Sequence, residues 1–164
     1  MASVPPEYED FWAVGERLHP ELRRRDRFLE AFAFGDSECM ATALADLVLR
    51  GIKRATASLV WSYEHDQKPQ PKAGALSIVT TWNKEPLCVI ETITVDVVPF
   101  DNVSEDFART EGEGDGTLES WRRNDTKFFA GECARIGRVP NGRMLVICEG
   151  FRVIHQPPSS LSAA

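Results

Sequence analysis

The spacing between apolar residues changes along this chain, and that change restricts its fold more than any other feature. In residues 37–50 and 118–136 apolar side chains recur every three or four positions, which is typical of helices with one buried face. In residues 75–82 and 87–98 apolar and polar side chains alternate, as in half-buried strands, and residues 83–86 supply a short loop between them. The pattern therefore predicts a β-hairpin between two helices.

Capping residues support the ends of both predicted helices. Asp36 or Ser37 can accept a hydrogen bond from the first turn of the earlier helix, and Gly51 suits the position just after its last turn. Thr117 and Gly137 take the same places around the later helix. The side chains predicted to face the core are Met40, Ala43, Leu44, Leu47 and Val48 in the earlier helix, and Leu118, Trp121, Phe128, Phe129 and Cys133 in the later one.

Three further segments complete the predicted fold. Residues 7–18 suit a first helix, residues 55–61 a short strand, and residues 144–154 a strand that follows a turn at Asn141 and Gly142. Because strands and helices do not alternate regularly, these elements predict the α+β class, with a small barrel-like sheet and flanking helices.

The length and the net charge of the chain predict one acidic domain. A chain of 164 residues suits a single domain, placed at residues 1–155, and the small polar residues of 156–164 predict a disordered tail. Nineteen basic residues against twenty-five acidic ones give a net charge of -6. This balance argues against tight, nonspecific binding to a long polyanion, and favours a small substrate or a short stretch of RNA.

Targeting segments and metal motifs are not evident in the sequence. No apolar run approaches the roughly 20 residues that span a bilayer. The first twelve residues do not resemble a secretory signal, so the predicted location is cytoplasmic, with no membrane partner. The four cysteines lie far apart, which predicts reduced thiols, and no cysteine or histidine spacing indicates a metal site.

Two predicted strands each carry one carboxylate on an apolar face. Glu91 interrupts the face that contains Val89 and Ile93, and Glu149 interrupts the face that contains Ile147 and Phe151. A buried carboxylate is costly unless it is paired or hydrogen-bonded. Glu91 and Glu149 are therefore either salt-bridged structural groups or residues that line a cavity and orient a substrate.

The segment GIKRATAS at residues 51–58 follows the earlier helix directly. It places Lys53 and Thr56 at a helix exit, and Trp61 and Tyr63 shortly afterwards could offer a stacking surface for a base. A plain loop with a solvated lysine is the alternative interpretation of this segment alone.

A second unusual segment, EGEGDG at residues 111–116, precedes the later helix. Glu111, Glu113 and Asp115 alternate with glycines, which let the backbone approach a ligand closely. The acids could supply a general base or oxygen ligands for a divalent cation, although their spacing does not match an EF-hand loop.

Taken in order, these motifs resemble the ASCH family. Gly51, Lys53 and Thr56 match its GxKxxTx[RS] signature, and Ser58 takes the position often held by arginine. The EGEGD segment before a helix with a tryptophan, and the closing CEGFRVI strand, are similar to the longer bacterial branch of the family. The resemblance covers about residues 25–155 and implies a PUA-like β-barrel with a cleft for RNA or a nucleoside.

The resemblance also implies an activity. In family members that hydrolyse N4-acetylcytidine, a lysine, a threonine and a later glutamate form the catalytic set, which corresponds here to Lys53, Thr56 and Glu111. A buried lysine amine could take the hydroxyl proton and make threonine a nucleophile. Glutamate could pair with the lysine and orient it, or carry a proton to the departing amine. This amidohydrolase activity needs no cofactor.

Two other functions fit the same cleft. A ribonuclease that cleaves single-stranded RNA, with or without a divalent metal, would use a basic track supplied by Lys53, Arg54, Arg122, Arg123 and Lys127. A module that binds RNA without chemistry is the third interpretation. The predicted partner is RNA or a modified ribonucleoside, and the chain is expected to be a monomer or a homodimer. The predicted substrate-binding residues are Gly51, Ser58, Trp61, Tyr63, Glu91, Arg122 and Glu149.

Overall fold

The computed structural model describes residues 2–158, in which five β-strands and five α-helices form an α+β fold. The strands are β1 (Phe28–Phe32), β2 (Ala55–Leu59), β3 (Leu76–Thr80), β4 (Pro86–Pro99) and β5 (Leu145–His155). The helices are α1 (Glu9–Leu18), α2 (Glu38–Leu49), α3 (Val60–Asp66), α4 (Glu105–Glu111) and α5 (Leu118–Ile136). Short 3-10 turns lie at Pro6–Tyr8, Pro20–Arg23, Arg25–Arg27 and Phe100–Asn102.

The five strands form one mixed sheet in the order β1-β3-β4-β5-β2. Only β1 and β3 run parallel, and the other three pairs are antiparallel. Residues from the two edge strands, β1 and β2, line one shared cavity, so the sheet curls until its edges face each other. The predicted α+β class is confirmed, while "barrel" describes the sheet loosely, because β1 and β2 do not pair among the residues described.

A β-bulge divides the long β4 strand. The pairing register with β5 shifts between Thr92 and Thr94, so the alternation of side chains does not continue across this point. Thr92 is buried, whereas Ile93 and Val97 are 49% and 45% exposed. The prediction that Val89, Glu91 and Ile93 share one apolar face is therefore wrong, because the bulge changes the direction of the strand.

Helices cover both faces of the sheet. The helix α1 and the turn after it pack on one face in a cluster formed by Tyr8, Trp12, Leu22, Phe28, Leu76, Ile78 and Val89. The helix α2 packs on the other face in a cluster formed by Phe34, Val48, Val79, Cys88, Ile90 and Phe151. The helices α4 and α5 cover β2 and the first half of β5, where the cluster contains Leu59, Phe100, Val103, Ala108, Trp121, Phe129, Cys133, Met144, Val146 and Cys148.

The predicted helix caps are confirmed. The Ser37 hydroxyl accepts a hydrogen bond from the Met40 amide at 3.2 Å, and the Thr117 hydroxyl accepts one from the Ser120 amide at 3.1 Å. Gly51 and Gly137 end their helices with φ of 76° and 73°.

The buried face of α2 is rotated from the predicted one. Ala41, Ala45 and Val48 are buried, while Ala43 and Met40 are exposed. Alanine carries too little apolar surface for its position to stand out in a hydrophobic pattern.

Three elements were not predicted, namely β1, α3 and α4. The predicted strand at residues 55–61 ends at Leu59 because α3 begins at Val60, so Trp61 and Tyr63 lie on a helix. The first three residues of the predicted tail, 156–158, have no regular structure, and the remainder lies outside the described residues. No helix within residues 2–158 is long and apolar enough to cross a bilayer.

We expect Gly112→Ala to destabilise the fold, because Gly112 lies in the acidic loop, residues 111–116, and follows the end of α4 with a φ of 70°. A Cβ there would lie against the backbone oxygen of Ile52 and 2.9 Å from its carbonyl carbon. Urea denaturation should show a loss of about 1 to 3 kcal/mol in the free energy of unfolding. The matched control is Gly131→Ala in the middle of α5, where a Cβ meets nothing within 4 Å, and we expect a gain of about 0.5 to 1 kcal/mol. Equal effects of the two substitutions would contradict this account.

Candidate active site

A cleft opens where the edges of the curled sheet approach each other. Its outer cavity, of about 210 Å³, lies between β1, β2, α3 and α5. A smaller inner cavity, of about 80 Å³, lies between β2, the acidic loop and α5. Phe34, Gly35, Thr56, Ala57 and Phe128 line both cavities, so the two are neighbouring parts of one cleft with Thr56 at their junction.

Backbone hydrogen bonds hold the segment that contains Lys53. The Lys53 amide donates to the Leu47 carbonyl at 3.1 Å, which continues the end of α2. The Arg54 amide donates to the Thr110 carbonyl at 3.0 Å, and the Arg54 carbonyl accepts from the Phe151 amide at 3.0 Å. The segment is thereby fixed to α2, α4 and β5 at once, and β2 starts directly after it.

The ammonium group of Lys53 is enclosed by acceptors. The residue is 1% exposed, and its Nζ donates to the Ala55 carbonyl at 2.7 Å and to Glu113 Oε1 at 2.6 Å. The Phe34 ring lies below it, with 5.3 Å between Nζ and the ring centroid. Among the described residues the carboxylate that pairs with Lys53 is thus Glu113, whereas the predicted partner Glu111 forms no hydrogen bond with it.

Two further carboxyl groups are buried beside this ion pair. Glu111 is 2% exposed and Asp125 is 9% exposed, and Glu111 Oε2 and Asp125 Oδ2 have no hydrogen-bond partner among the described residues. Burial raises the pKa of Glu111 to about 8, with the charges of Glu113 and Asp125 adding to the effect and Lys53 opposing it. Burial and the charge of Glu113 raise the pKa of Asp125 to about 7. Glu111 therefore keeps its proton near neutral pH, whereas Asp125 is close to half protonated there.

The outer cavity contains a second set of polar groups. Thr56 lies directly opposite Glu149 in the β2–β5 ladder, and Glu149 Oε2 accepts a hydrogen bond from the Thr92 hydroxyl at 2.6 Å. The Tyr63 hydroxyl donates to Glu30 Oε2 at 3.3 Å. Burial is the main cause that raises the pKa of both Glu30 and Glu149 above the usual carboxyl range.

The structure brings six of the predicted site residues to the cleft or its wall. Thr56, Ser58, Tyr63, Glu111 and Glu149 line a cavity, and Lys53 lies directly behind Glu113, which lines the inner one.

The other four predicted residues do not line either cavity of the cleft. Gly51 is exposed after α2, and the Trp61 ring faces the guanidinium of Arg138 at 4.9 Å. Glu91 accepts a hydrogen bond from Arg152 Nε at 2.8 Å, which makes it a salt-bridged strand residue. Arg122 is exposed on α5 and donates to the Asp101 carbonyl at 3.2 Å.

The cleft residues that were not predicted include two carboxyl groups in its wall, Glu30 and Asp125. Asp125 lies four positions after Trp121 and four before Phe129, both buried on α5, so it was a carboxylate on an apolar helical stripe. Glu30 occupies the same kind of position in β1, two residues from Phe28 and two from Phe32. An isolated acid on an apolar face could have identified both.

Acidic groups dominate the lining of the cleft. The outer cavity has four carboxylates and one lysine, Lys68, and the inner cavity has three carboxylates and no cation in its lining. Asp66 and Glu132 at the outer rim are paired with Arg135 at 2.9 and 2.6 Å. Within residues 2–158 no group of three acidic, histidine or cysteine side chains has the arrangement of metal ligands.

Comparison with known proteins identifies the family. The ASCH domain model matches residues 30–155. A crystal structure of an ASCH domain from Lactobacillus crispatus JV V101 is 36% identical, with a TM-score of 0.78 over 89% of this chain and 90% of that one. A protein from Enterococcus faecalis V583 is 35% identical, with a TM-score of 0.70 over 76% of this chain and 75% of that one. No curated protein matches the chain. The chain belongs to the ASCH family, as its motifs predicted.

The raised pKa of Glu111 predicts how stability depends on pH. The folded state holds the Glu111 proton more tightly than the unfolded chain does. The resulting stabilisation of the fold is complete below the pKa that Glu111 has in the unfolded chain, and it is lost as pH rises through about 8. We expect the free energy of unfolding to fall by roughly 1 to 3 kcal/mol between about pH 5 and about pH 9. Glu111→Gln should reduce this slope, measured by urea denaturation, whereas the exposed control Glu119→Gln should not. An identical slope in Glu111→Gln and the parent chain would contradict the assignment.

Proposed function

We propose that this protein is a hydrolase that removes the acyl group from N4-acylated cytidine, as a nucleoside or at the end of a short RNA. The observation that supports this substrate best is the acidic lining of the cleft around Thr56. Carboxyl groups form hydrogen bonds with the N–H and O–H groups of a nucleoside. A phosphate group, in contrast, would find one basic side chain, Lys68, in the lining of the two cavities. The family membership and the small size of both cavities support the same class of substrate.

In the proposed reaction Thr56 Oγ attacks the acyl carbonyl carbon. Its proton passes to a carboxylate, for which Glu149 is the best candidate because it lies directly across the ladder. The ammonium of Lys53 is already hydrogen-bonded to Glu113 and Ala55, so it does not act as the base. Its positive charge, in a buried setting, stabilises the negative charge that develops on the acyl oxygen.

The C–N bond then breaks, and the departing amine takes the proton that Glu111 holds near neutral pH. Water hydrolyses the acyl ester on Thr56, and the two carboxyl groups regain their starting protonation states. The net reaction consumes one water and yields an amine and a carboxylic acid. No metal or organic cofactor enters any step.

Ribonuclease activity in the same cleft receives less support. It would need accessible cations that hold the phosphate groups of the RNA strand, and Lys53 is buried and paired with Glu113. The remaining basic residues of the predicted track are exposed and do not line either cavity, namely Arg54 before β2 and Arg122, Arg123 and Lys127 on α5. Binding of RNA without chemistry would leave the buried proton on Glu111 without a role.

Thr56→Ala tests the proposed nucleophile. We expect the parent protein to release cytidine from N4-acetylcytidine, and Thr56→Ala to lower kcat/KM by a factor of about 100 or more, because no other group replaces the attacking hydroxyl. Thr126→Ala, at an exposed position of α5, is the matched control and should keep full activity. Chromatography of the nucleosides gives the rates. Cleavage of labelled single-stranded RNA without deacylation, or full activity of Thr56→Ala, would refute the proposal.

A further inference from the structure

The second half of β4 has a hydrogen-bonded neighbour on one side only. At Ile90 the strand pairs with β3 on one side and with β5 on the other, and Thr92 still bonds to Gly74 and Ala75 just before β3. Residues 94–99 pair with β5 alone, and within the described part of the chain no backbone hydrogen bond reaches them from the other side. A strand edge of this kind offers unpaired N–H and C=O groups to another strand.

The pattern of hydrogen bonds shows which backbone groups point away from β5. The Phe100 amide donates to the Met144 carbonyl at 2.9 Å, so Phe100 and Met144 form a hydrogen-bonded pair at the end of the β4–β5 ladder. Bonded and non-bonded pairs alternate along an antiparallel ladder. The N–H and C=O groups of Val95 and Val97 therefore face the unpaired side, which ends at Pro99 because proline has no N–H.

Apolar side chains border the open edge, residues 93–98. Ile93, Val97 and Leu145 are exposed, and the β4–β5 ladder places Val97 and Leu145 on the same face of the sheet. Proteins usually protect a sheet edge with charges, prolines or a covering element, whereas the open edge contains one charged residue, Asp96, and no proline. The edge thus has the features of a contact surface for another strand.

We propose that the open edge pairs in an antiparallel manner with the same edge of a second copy of this chain, around a two-fold axis at Val95. The two five-stranded sheets then join into one ten-stranded sheet. This inference goes beyond the proposed function and does not depend on it.

The sequence of the open edge is complementary to itself in this register. With the axis at Val95, Val97 of each copy lies opposite Ile93 of the other, which extends the apolar face. Thr94 lies opposite Asp96 in a non-bonded pair, where side chains approach most closely, so the hydroxyl can donate to the carboxylate. An axis at Asp96 would instead place two carboxylates opposite each other, which is unfavourable. Asp96 therefore favours the register with the axis at Val95.

This arrangement places both clefts on one face of the joined sheet. A two-fold axis that pairs two strands in an antiparallel manner is perpendicular to the sheet, so the two copies present the same face to the same side. Val95 lies directly opposite Glu149 in the β4–β5 ladder, and Glu149 lines the outer cavity. The cleft of each copy thus begins one strand away from the contact.

The size of the contact sets the expected affinity. The paired segment of each copy, residues 93–97, is much shorter than the roughly 20 to 30 residues that each side of a standard interface contributes. The net charge of -6 on each copy also opposes association. We therefore expect a weak dimer, with a dissociation constant of about 10 to 100 µM at about 0.15 M salt.

Sedimentation velocity of the full chain, from about 5 to about 500 µM, should show a monomer that converts to a dimer. Thr94 is exposed, and Thr94→Lys places a cation opposite Asp96, so it should lower the dissociation constant by a factor of about 3 or more. Thr94→Asp places a second carboxylate there and should raise the constant by a factor of about 10 or more. The matched controls are Thr126→Lys and Thr126→Asp, which make the same charge changes at an exposed position of α5 and should leave the constant unchanged.

Every result decides the inference. A parent chain that stays monomeric up to about 500 µM would overturn it, and the edge would then be open to a different partner or to none. Equal effects of the two Thr94 substitutions, or effects that the Thr126 controls reproduce, would also overturn it, because the dimer would then use another surface. A tighter dimer of Thr94→Lys cannot arise from misfolding. Hydrogen exchange of the Val95 and Val97 amides should slow as the dimer forms, and unchanged exchange in a dimeric sample would contradict the assigned edge.

Discussion

The buried ammonium of Lys53 is the charge on which the arrangement of the cleft depends. Taking an ammonium group out of water costs several kcal/mol, and only a close carboxylate together with further hydrogen bonds offsets that cost. Glu113 and the Ala55 carbonyl supply those partners at 2.6 and 2.7 Å. Lys53 in turn is the cation whose charge opposes the burial-driven rise in the pKa of both Glu111 and Asp125. Without it, three carboxyl groups would share one buried space.

The backbone around Lys53 explains how one short segment can organise the whole site. Gly51 ends α2 in the left-handed conformation, which turns the chain toward the sheet. The next residues then bond to α2, α4 and β5 before β2 begins, so Thr56 leaves this junction at the sheet edge. Gly112 packs against the backbone of Ile52, next to Lys53, because a glycine without a Cβ lets the acidic loop approach that backbone closely. The ion pair is consequently held by two loops that are both fixed to regular elements.

Local patterns were enough to predict the elements that carry strong periodicity. The hairpin strands, the later helix and the caps at Ser37 and Thr117 depend on neighbouring residues, and the structure contains them all. The helix α3 was missed because its residues Val60, Trp61 and Tyr63 favour strands, and packing against α5 and β5 overrides that preference. The bulge in β4 was also unpredictable, since nothing in its alternating residues marks where the register shifts.

The sequence predicted which residues lie at the candidate site better than it predicted which of them pair. The family signature led to Lys53 and Thr56, and both lie at the cleft. Glu111 and Glu113 are separated by one glycine, and the positive φ of Gly112 helps to set which of them faces the ammonium. A single sequence does not reveal that angle. Glu91 and Glu149 looked equivalent as acids on apolar faces, yet Arg152 pairs with Glu91 on the sheet surface while Glu149 faces the cavity.

A double-mutant cycle between Lys53 and Glu113 tests the central claim most directly. The free energy of unfolding is measured by urea denaturation for the parent chain, Lys53→Met, Glu113→Gln and the double variant. If the buried ion pair organises the cleft, Lys53→Met alone costs about 3 to 5 kcal/mol, and the double variant costs less than the sum of the single ones by about 1 to 3 kcal/mol. Effects that add within about 0.5 kcal/mol would contradict the account, because they would mean that Lys53 and Glu113 contribute independently.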